Sequence, residues 1–274
     1  MERDLRSNLN RFIVARDDFE GKYQYNNEYN IHNLENEKAV SHDSGLWRYM
    51  SFSKFVSLLE TSSIYFSKPS GFLDPYEGSF SHSDLERFLG EYIHWNEKDR
   101  EAFIDGVDQV YARAKIALDY VGISCWHMNN EESAAMWDLY CRRDEGIAIK
   151  TSVKNLINSY SFNEYDIRYG VVNYIDYEKD MAGTNYYDTL FYKRKSFSHE
   201  QEFRMLVFDD EEELFFGPAG VNVTFNLKTL INEIYVSPTS PPWFKDTVQA
   251  IVNRYGLGKK VIQSNLYQGP YIVS

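Results

Sequence analysis

Apolar positions recur along the chain with two different spacings, and the spacing decides which element each segment predicts. Alternating apolar positions, or short unbroken apolar runs, are typical of strands, whereas a repeat of three to four residues is typical of an amphipathic helix. The first pattern predicts strands at residues 45–51, 64–67, 121–127, 146–152, 169–177, 221–226, 233–237 and 259–267. The second predicts helices at residues 52–59, 133–141, 186–195 and 244–256, and two more within residues 82–118.

The predicted strands and helices follow one another in an irregular order. We therefore expect an α+β fold with a mixed or antiparallel central sheet and flanking helices. Residues 1–44 are polar and predict a mobile or helical extension outside the core. Residues 45–274 predict a single domain that carries a helical insertion at about residues 82–118.

Composition narrows the class of protein. The chain has 274 residues and a net charge of −12, with a pI near 5.0, so it has no overall electrostatic attraction to nucleic acid. No apolar run approaches the roughly 18 residues of a membrane helix, and no secretory signal is visible. The two cysteines form no zinc or disulfide pattern. We expect a cytoplasmic protein with reduced thiols, no metal site and no membrane contact.

The segment SFSHEQEFRMLVF, residues 196–208, places two glutamates and an arginine at the start of an apolar run. In a strand, Glu200, Glu202 and Arg204 would share one face, with neighbouring carboxylates about 6.5 Å apart. Their repulsion would raise one pKa, and Arg204 would offset part of it. The alternative is an exposed polar face with a weak surface ion pair. The preceding basic run, residues 193–195, is either a local basic groove or a solvated surface.

Four other motifs carry chemically useful residues, and each has a structural alternative. Arg48 lies in an aromatic strand, where it could also pair with a buried carboxylate or face solvent. Asp74 and Glu77 lie in a proline-containing turn, and their spacing also fits a capping box. His127 follows a buried strand and is a candidate base near pH 7, although a hydrogen-bonded structural histidine is the commoner case. The MWDLY stripe, residues 136–140, is more typical of core packing.

Together, the motifs LWRYMS, YFSKPSGFLDPYEG, GISCWH…MWDLYCRRDEGIAI and FSHEQEFRMLV resemble an uncharacterised bacterial domain-of-unknown-function family. Its members typically carry LYHYTS, FNDPxE, CFS…MWxxYa…GhcI and F-x-x-ExEWR in the same order. The resemblance covers about residues 45–267. Leu73 stands where the family usually has the asparagine of FNDP, so the role of that asparagine does not transfer.

The order of these motifs is also similar to the ADP-ribosyltransferase fold. Such enzymes use an Arg or His on a first strand, a Ser or Tyr on a second, and a Glu, often in an E-x-E pair, on a later one. The resemblance implies NAD as a substrate and Glu202 as the carboxylate that stabilises positive charge on the ribose. It implies that Glu200 orients or deprotonates the acceptor, and that Arg48 holds a phosphate or ribose oxygen.

The same resemblance implies NAD-binding residues on the second strand and in the loop after it. Ser67, or Tyr65 in its place, occupies the second-strand position, and Ser67 would brace both the ribose and Glu202. The rings of Tyr65, Phe72 and Tyr76 could stack on nicotinamide.

The implied function is transfer of ADP-ribose from NAD to a macromolecule, RNA, DNA or protein, by a bacterial toxin or anti-phage defence effector. Overall acidity favours a protein acceptor, whereas the basic run at residues 193–195 favours nucleic acid. The alternative is a non-catalytic sensor or partner-binding module of the same fold, with a protein partner or antitoxin. A glycosidase fits less well, because glycosidases bring their two carboxylates from opposite sides of the scissile bond.

Overall fold

The computed structural model describes residues 40–90, 118–141, 145–160, 167–182, 186–208 and 217–270, together with 23–26, 31–34, 96–98, 101, 104 and 165. These residues form an α+β fold in which a mixed, mostly antiparallel sheet is flanked by helices. The strands are β1 (Tyr23–Asn26), β2 (Ile31–Leu34), β3 (Gly45–Ser51), β4 (Ser63–Ser67), β5 (Val121–Met128), β6 (Gly146–Ser152), β7 (Ile167–Val171), β8 (Asn173–Ile175), β9 (Tyr192–Arg194), β10 (Glu202–Phe208), β11 (Gly220–Thr224), β12 (Glu233–Val236) and β13 (Val261–Gln263). The α-helices are α1 (Phe52–Thr61), α2 (His82–Gly90), α3 (Ala134–Tyr140), α4 (Val153–Ser159), α5 (Tyr186–Thr189), α6 (Leu227–Leu230) and α7 (Pro242–Arg254). Short 3-10 helices lie at Pro69–Gly71, Leu118–Tyr120 and Lys195–Glu200.

The central sheet has the strand order β1-β2-β7-β10-β5-β3-β6-β12-β13; β4 joins it through β5, and β11 pairs with β4. The pairs β2–β7 and β12–β13 are parallel, and β8 and β9 form a separate parallel pair. Strands β3 and β5 pair at Leu46–Met128 and Trp47–His127 and then diverge. Strand β4 continues the pairing with β5, where Ser67 lies opposite Ile123.

Alternation along β3, β5 and β10 gives the sheet two different faces. One face packs against helices α1, α4 and α7 around the largest hydrophobic cluster of the described residues. This core face carries Leu46, Met50, Trp126, Phe203 and Met205. The opposite face, called the site face below, carries Trp47, Tyr49, Cys125, His127, Glu202 and Arg204.

The site face contains two separate apolar patches. One joins Trp47 and Tyr49 to Met136 and Trp137 of α3. The other joins the far ends of β5 and β10 to Leu190 and Phe191. The polar site-face residues of β5 and β10, which are His127, Glu202 and Arg204, lie between the two patches.

Most of the pattern-based predictions are confirmed to within a few residues. The strands at 45–51, 64–67, 121–127 and 146–152 are present, and the helix at 52–59 begins after Ser51, whose side chain accepts a hydrogen bond from the Lys54 amide. The helix at 244–256 is also present; Gly256, with a φ of +65°, follows its end.

Two predictions are wrong in detail. Residues 169–177 form the end of β7 and then β8, because the Val172 amide donates to the Glu202 carbonyl and the chain then leaves β10 to pair with β9. Residues 186–195 are helical only as far as Thr189, and Tyr192 then begins a strand.

The polar segment 1–44 also differs from expectation in its described part. Instead of a helix it contains strands β1 and β2, which pair with each other, and β2 pairs with β7 of the central sheet. Within the predicted insertion 82–118, α2 is the first of the two expected helices. The second expected helix lies almost entirely outside the described residues.

Gly220 offers a test of the pairing between β4 and β11. Its φ is +148°, and a Cβ added there would lie 2.1 Å from the carbonyl oxygen of Phe66. We expect Gly220→Ala to lower the free energy of unfolding by about 3 kcal/mol or more, measured by urea denaturation, because backbone strain and a steric clash add. Gly256→Ala is the matched control, since φ is also positive but no atom lies within 4 Å, and it should cost about 1–2 kcal/mol. Equal losses for the two variants would contradict the register of β4 and β11.

Candidate functional site

A cluster of ionisable side chains lies buried on the site face, between the two apolar patches. Arg204 is fully buried and Glu202 is 4% exposed. Buried charges are costly unless they are paired and hydrogen-bonded, so the partners of each group determine what the cluster does. The members of this buried ion cluster are Glu77, Lys193, Glu200, Glu202 and Arg204.

Glu200 reaches the cluster from a 3-10 helix and not from the strand. Gln201 follows that helix with a left-handed φ of 42°, and β10 begins only at Glu202. The expectation that Glu200 lies on the same strand face as Glu202 is therefore wrong, because the turn at Gln201 ends the strand. The two carboxyl groups nevertheless converge, since they bind the same lysine.

Lys193 of β9 bridges the two glutamates. Its Nζ donates to Oε2 of Glu200, and to Oε1 of Glu202 at a distance of 2.6 Å. The side chain is buried, so the interpretation of this lysine as part of a solvated surface is wrong. Burial opposes its charge, but the charge of Glu202 and the hydrogen bonds to both carboxyls outweigh that effect and raise the pKa of Lys193.

The other two cations of the basic run have separate acidic partners. Arg194 binds Oδ1 of Asp74 at 2.8 Å, and exposed Lys195 binds Asp180 at 3.0 Å. Residues 193–195 therefore do not form a free basic groove, because each of their charges is paired.

Arg204 connects Glu202 to the loop that follows β4. Its Nε donates to Oε2 of Glu202 at 2.6 Å. Its two terminal nitrogens donate to the two carboxylate oxygens of Glu77, and Nη1 also donates to the carbonyl of Leu190 at 2.6 Å. This paired geometry is the one in which a guanidinium binds a carboxylate most strongly.

The motif FLDPYEG thus supplies two acidic anchors. Asp74 accepts a hydrogen bond from the Tyr76 amide at 3.1 Å and binds Arg194, whose guanidinium lies 4.7 Å from the centre of the Tyr76 ring. Glu77 binds Arg204. The carboxylates of this turn serve ion pairs, in place of the capping box that their spacing also allows.

The cluster contains one more carboxyl than it has cations. Lys193 and Arg204 carry two positive charges, whereas the three carboxyls would carry three negative charges if all were ionised. A proton on one carboxyl makes the buried cluster neutral, which avoids the cost of an uncompensated buried charge.

Glu200 is the carboxyl that takes up this proton as the pH falls through about 7. Burial and the hydrogen bond that it makes to Glu202 raise the pKa of Glu200 to about 7, against the attraction of Lys193. Burial would also raise the pKa of Glu202, but the charge of Arg204, the hydrogen bond from Glu200 and the charge of Lys193 hold it well below its ordinary value. At pH 7 Glu200 is therefore protonated in about half of the molecules, whereas Glu202 is ionised.

Three further side chains surround the carboxyls. The hydroxyl of Tyr174 accepts a hydrogen bond from the Glu202 amide at 2.8 Å. Burial raises the pKa of Cys125, and the charge of Glu202 raises it further. Burial and the charges of Glu200, Cys125 and Glu202 raise the pKa of Tyr140, whose ring is 52% exposed. Tyr140 is therefore a half-exposed ring beside the buried carboxyls.

Arg48 lies on the core face, away from the carboxylates. Its guanidinium donates to the Ser124 hydroxyl and, at 3.0 Å, to the Tyr65 carbonyl, and it lies 5.4 Å from the centre of the Trp126 ring. These contacts connect β3 to β5 and to β4. Burial lowers the pKa of Arg48 to about 10. The structure therefore does not bring Arg48 together with Glu202, contrary to the prediction from the motif order.

The other predicted NAD-binding residues lie on the side of the site face. Ser67 is opposite Ile123, a site-face residue of β5, and Tyr65 shares its face two positions earlier. Phe72 packs against the second apolar patch, and Tyr76 contacts Tyr177 edge to face, with ring centres 5.0 Å apart. The structure brings these four to one side of the sheet, and their binding of NAD stays a prediction.

Sequence reasoning missed Lys193 and Glu77 as partners of the two glutamates. One signal for Lys193 was available, which is that it lies two residues after the apolar pair Leu190–Phe191. It belongs to strand β9, in a segment that the pattern assigned to a helix. For Glu77, no signal was available. Acidic residues are common in turns such as FLDPYEG for local reasons, so nothing in the sequence indicated the ion pair with Arg204.

Substitution of Glu77 should reveal how strongly the cluster stabilises the fold. Glu77→Gln leaves Arg204 fully buried without its paired carboxylate, so we expect a loss of about 3–5 kcal/mol in the free energy of unfolding. The double variant Glu77→Met with Arg204→Met should lose less than the two single variants combined, because it removes both charges. Glu178→Gln, on an exposed glutamate, is the control. A loss below about 1 kcal/mol for Glu77→Gln would show that the pair is not buried as described.

The proton on Glu200 predicts a specific pH dependence of stability. Because the pKa of Glu200 in the folded protein is about 7 and its ordinary value is 4.5, its stabilising contribution is complete below about pH 4.5 and is lost as the pH rises through 7. Glu200→Gln cannot titrate. We expect the wild type to lose on the order of 1–2 kcal/mol relative to this variant between those two pH values, measured by urea denaturation. A difference that stays constant with pH would refute the protonated state.

Two classes of site are absent from the described residues. Within the ranges given above, no helix has both the length and the apolarity to cross a membrane. The His, Cys, Asp and Glu side chains of the same residues form no group of three or more that could hold a metal ion.

The part of the chain that builds most of the cluster matches a known sequence family. The sequence model of a family described as a protein of unknown function, DUF2971, matches residues 136–205, about a quarter of the chain. The matched segment contains Tyr140, Lys193, Glu200, Glu202 and Arg204. No curated protein and no solved structure matches the chain. The match fits the expectation of an uncharacterised domain family.

Proposed function

We propose that this protein transfers ADP-ribose from NAD to a macromolecule and that the buried ion cluster is its active site. The observation that carries the proposal is the pair Glu200 and Glu202, which share Lys193 and whose pKa values are moved in opposite directions. Two carboxyls whose pKa values differ in this way can take different acid–base roles in one reaction. The resemblance of the motif order to the ADP-ribosyltransferase fold supports the same chemistry.

Glu202 suits the role of the electrostatic group. It stays ionised at neutral pH, and Arg204 and Lys193 fix both of its oxygens. When the bond between nicotinamide and C1′ of the ribose breaks, its electron pair leaves with nicotinamide and positive charge builds on the ribose. A fixed carboxylate beside that charge stabilises the transition state more than the ground state.

Glu200 suits the role of the proton acceptor. A general base works best when its pKa lies near the working pH, and the pKa of Glu200 is about 7. As the acceptor attacks C1′, its proton passes to ionised Glu200, so the reaction yields the ADP-ribosylated acceptor, nicotinamide and a proton. The acceptor would approach from the side of Tyr140.

Arg194 replaces Arg48 as the proposed partner of the NAD phosphates. It is partly exposed at the end of β9, next to Lys193 of the cluster, and its guanidinium lies over Tyr76, one of the proposed stacking rings. Tyr65, Ser67 and Phe72 complete the proposed NAD-binding side. A macromolecular acceptor is consistent with a toxin or anti-phage effector that acts in the cytoplasm and is restrained by a protein partner or antitoxin.

The test is incubation of the protein with labelled NAD and separate pools of RNA, DNA and protein, with nicotinamide release measured in parallel. We expect one pool to be labelled, and Glu202→Gln to slow labelling roughly 10²–10³-fold, the usual effect of losing one transition-state contact. Glu178→Gln should retain activity, because that side chain is exposed. If wild-type protein labels nothing, releases no nicotinamide and does not bind NAD, the proposal fails.

A non-catalytic partner-binding module is the second candidate, and one observation favours it. Glu200 and Glu202 are both buried, and both carboxyls have protein partners, as expected of ion pairs that only stabilise a fold. This candidate predicts a stable protein complex that survives Glu202→Gln, in a protein without NAD chemistry. Co-purification with the variant, followed by the labelling assay, separates the two candidates.

A further inference from the structure

The backbone carbonyl of Glu200 is held by a side chain of the neighbouring strand. At the start of β10, the Glu202 carbonyl accepts a hydrogen bond from the Val172 amide, on the β7 side of the strand. In a regular strand, the carbonyl two residues earlier, that of Glu200, would point to the same side. It lies instead 2.7 Å from Nδ1 of His127, a residue of β5. The turn at Gln201 has therefore rotated this carbonyl from the β7 side towards β5.

This rotation requires an unusual backbone conformation at Gln201. Its φ of 42° lies in the left-handed region, which is unfavourable for a residue with a Cβ. Such a conformation persists only where the surrounding contacts enforce it. The Gln201 amide donates to the Ser198 carbonyl at 3.3 Å, and the Gln201 carbonyl accepts from the Met128 amide at 2.8 Å. The hydrogen bond from His127 to the Glu200 carbonyl is the third contact that fixes the turn.

The same contact fixes the tautomer of His127. A carbonyl oxygen only accepts hydrogen bonds, so Nδ1 carries the proton of the neutral ring, and it carries a proton in the charged ring as well. Burial lowers the pKa of His127, and the hydrogen bond to the Glu200 carbonyl offsets that effect only in part. The ring is therefore neutral at pH 7, and its hydrogen bond to the carbonyl persists over the pH range in which Glu200 titrates.

The other ring nitrogen of His127 shows what this residue contributes. Nε2 is buried and has no partner in the part of the chain that the structure describes, and the residue is 5% exposed. A buried acceptor without a partner costs stability. The expectation of a hydrogen-bonded structural histidine is thus met at Nδ1 alone. At this position an imidazole is therefore favoured over a phenyl ring only through its Nδ1 proton.

The turn at Gln201 decides where the Glu200 carboxyl lies. Glu202 is fixed in the sheet between β5 and β7, whereas Glu200 ends the 3-10 helix, so Gln201 is the hinge between the two. With the hinge in the left-handed conformation, the Glu200 carboxyl reaches Lys193 and Glu202. If the hinge were extended, the helix would leave the sheet in another direction and would carry Glu200 away from Lys193.

We propose that His127 is a positioning residue: it holds the Glu200 carbonyl, and thereby the left-handed turn at Gln201 that brings the Glu200 carboxyl to Lys193 and Glu202. His127 acts through Glu200 and takes no part in the reaction itself. The role of base near pH 7, which the sequence allowed for His127, belongs to Glu200 in this proposal. The positioning is a matter of geometry, and only the kinetic arm of the test rests on the proposed function.

The titration of Glu200 reports its position, provided that its other neighbours are unchanged. The ionisable groups that surround its carboxyl, besides His127, are Lys193, Arg204, Glu77, Glu202, Cys125, Tyr140 and Tyr174. All of them are retained in variants of His127. The replaced ring is neutral at pH 7, so its removal changes no charge there.

The first arm of the test uses the wild-type full chain. Nitrogen NMR of ¹⁵N-histidine-labelled protein at pH 7 should show His127 with Nδ1 protonated and Nε2 unprotonated. The opposite tautomer cannot donate to the Glu200 carbonyl, and its observation would overturn the inference.

The second arm follows the Glu200 carboxyl by carbon NMR in variants. His127→Phe keeps an aromatic ring and removes the Nδ1 donor. We expect the titration of Glu200 to fall from about pH 7 towards the ordinary value of 4.5, because the released carboxyl enters solvent and leaves Glu202. His127→Asn places an amide donor near the position of Nδ1 and should restore titration near the wild-type value. Unchanged titration in His127→Phe would overturn the inference.

Two further variants serve as controls for the second arm. His82→Phe replaces an exposed histidine and should leave the titration of Glu200 unchanged. If His127→Phe does not fold, His127→Gln takes its place, because the glutamine donor lies near the position of Nε2 instead of Nδ1. Titration of Glu200 at the wild-type pH in a folded His127→Gln variant would then contradict the inference.

The kinetic arm measures the pH dependence of nicotinamide release. In the wild type the rate should rise through about pH 7 as Glu200 ionises. The rise should move to lower pH in His127→Phe and stay in place in His127→Asn. A protein that releases no nicotinamide but shows the Glu200 shift would refute the transferase and retain the positioning role. Activity with a pH profile that His127→Phe does not move would do the reverse.

Discussion

The contact on which the rest of the site depends is the sharing of Lys193 by Glu200 and Glu202. Without the lysine, Arg204 would be the one cation of the cluster, and it would face three buried carboxyls, those of Glu77, Glu200 and Glu202. With it, one proton suffices to make the cluster neutral, and Glu200, with a pKa of about 7, is the group that takes it up. The fold therefore gives two chemically identical groups different pKa values: burial dominates at Glu200, whereas the charges of Arg204 and Lys193 outweigh burial at Glu202.

The same cluster joins segments that are distant in sequence. Arg204 binds Glu77 across 127 positions of the chain, so the loop after β4 is attached to the central strand β10. Lys193 attaches β9, and Glu200 attaches the 3-10 helix. Stability and chemistry are consequently linked: a change that removes one charge alters the fold, the protonation of Glu200 and the field around Glu202 together.

The sequence was informative where the pattern is local. Alternation along residues 202–208 predicted that Glu202 and Arg204 share a face opposite an apolar row, and the structure confirms it. The sequence does not show which residues of two separate strands lie on the same face of the sheet. Arg48 was assigned to the site from the order of motifs, but a shift of one residue in register moves a side chain to the other face, and motif order does not encode register. Lys193 and Glu77 were missed for a related reason, since their importance arises only from partners that tertiary structure supplies.

The central claim is that burial and the hydrogen bond to Glu202 raise the pKa of Glu200 to about 7, whereas the neighbouring cations keep Glu202 ionised. Carbon NMR of the glutamate side-chain carboxyls, followed through a pH titration, tests it most directly. We expect Glu200 to titrate near pH 7 and Glu202 to stay ionised to well below its ordinary pKa. We expect Glu77→Gln to move the Glu200 titration to lower pH, because that variant removes one negative charge from the cluster. Titration of Glu200 near its ordinary value of 4.5 in the wild type, unchanged in Glu77→Gln, would contradict it.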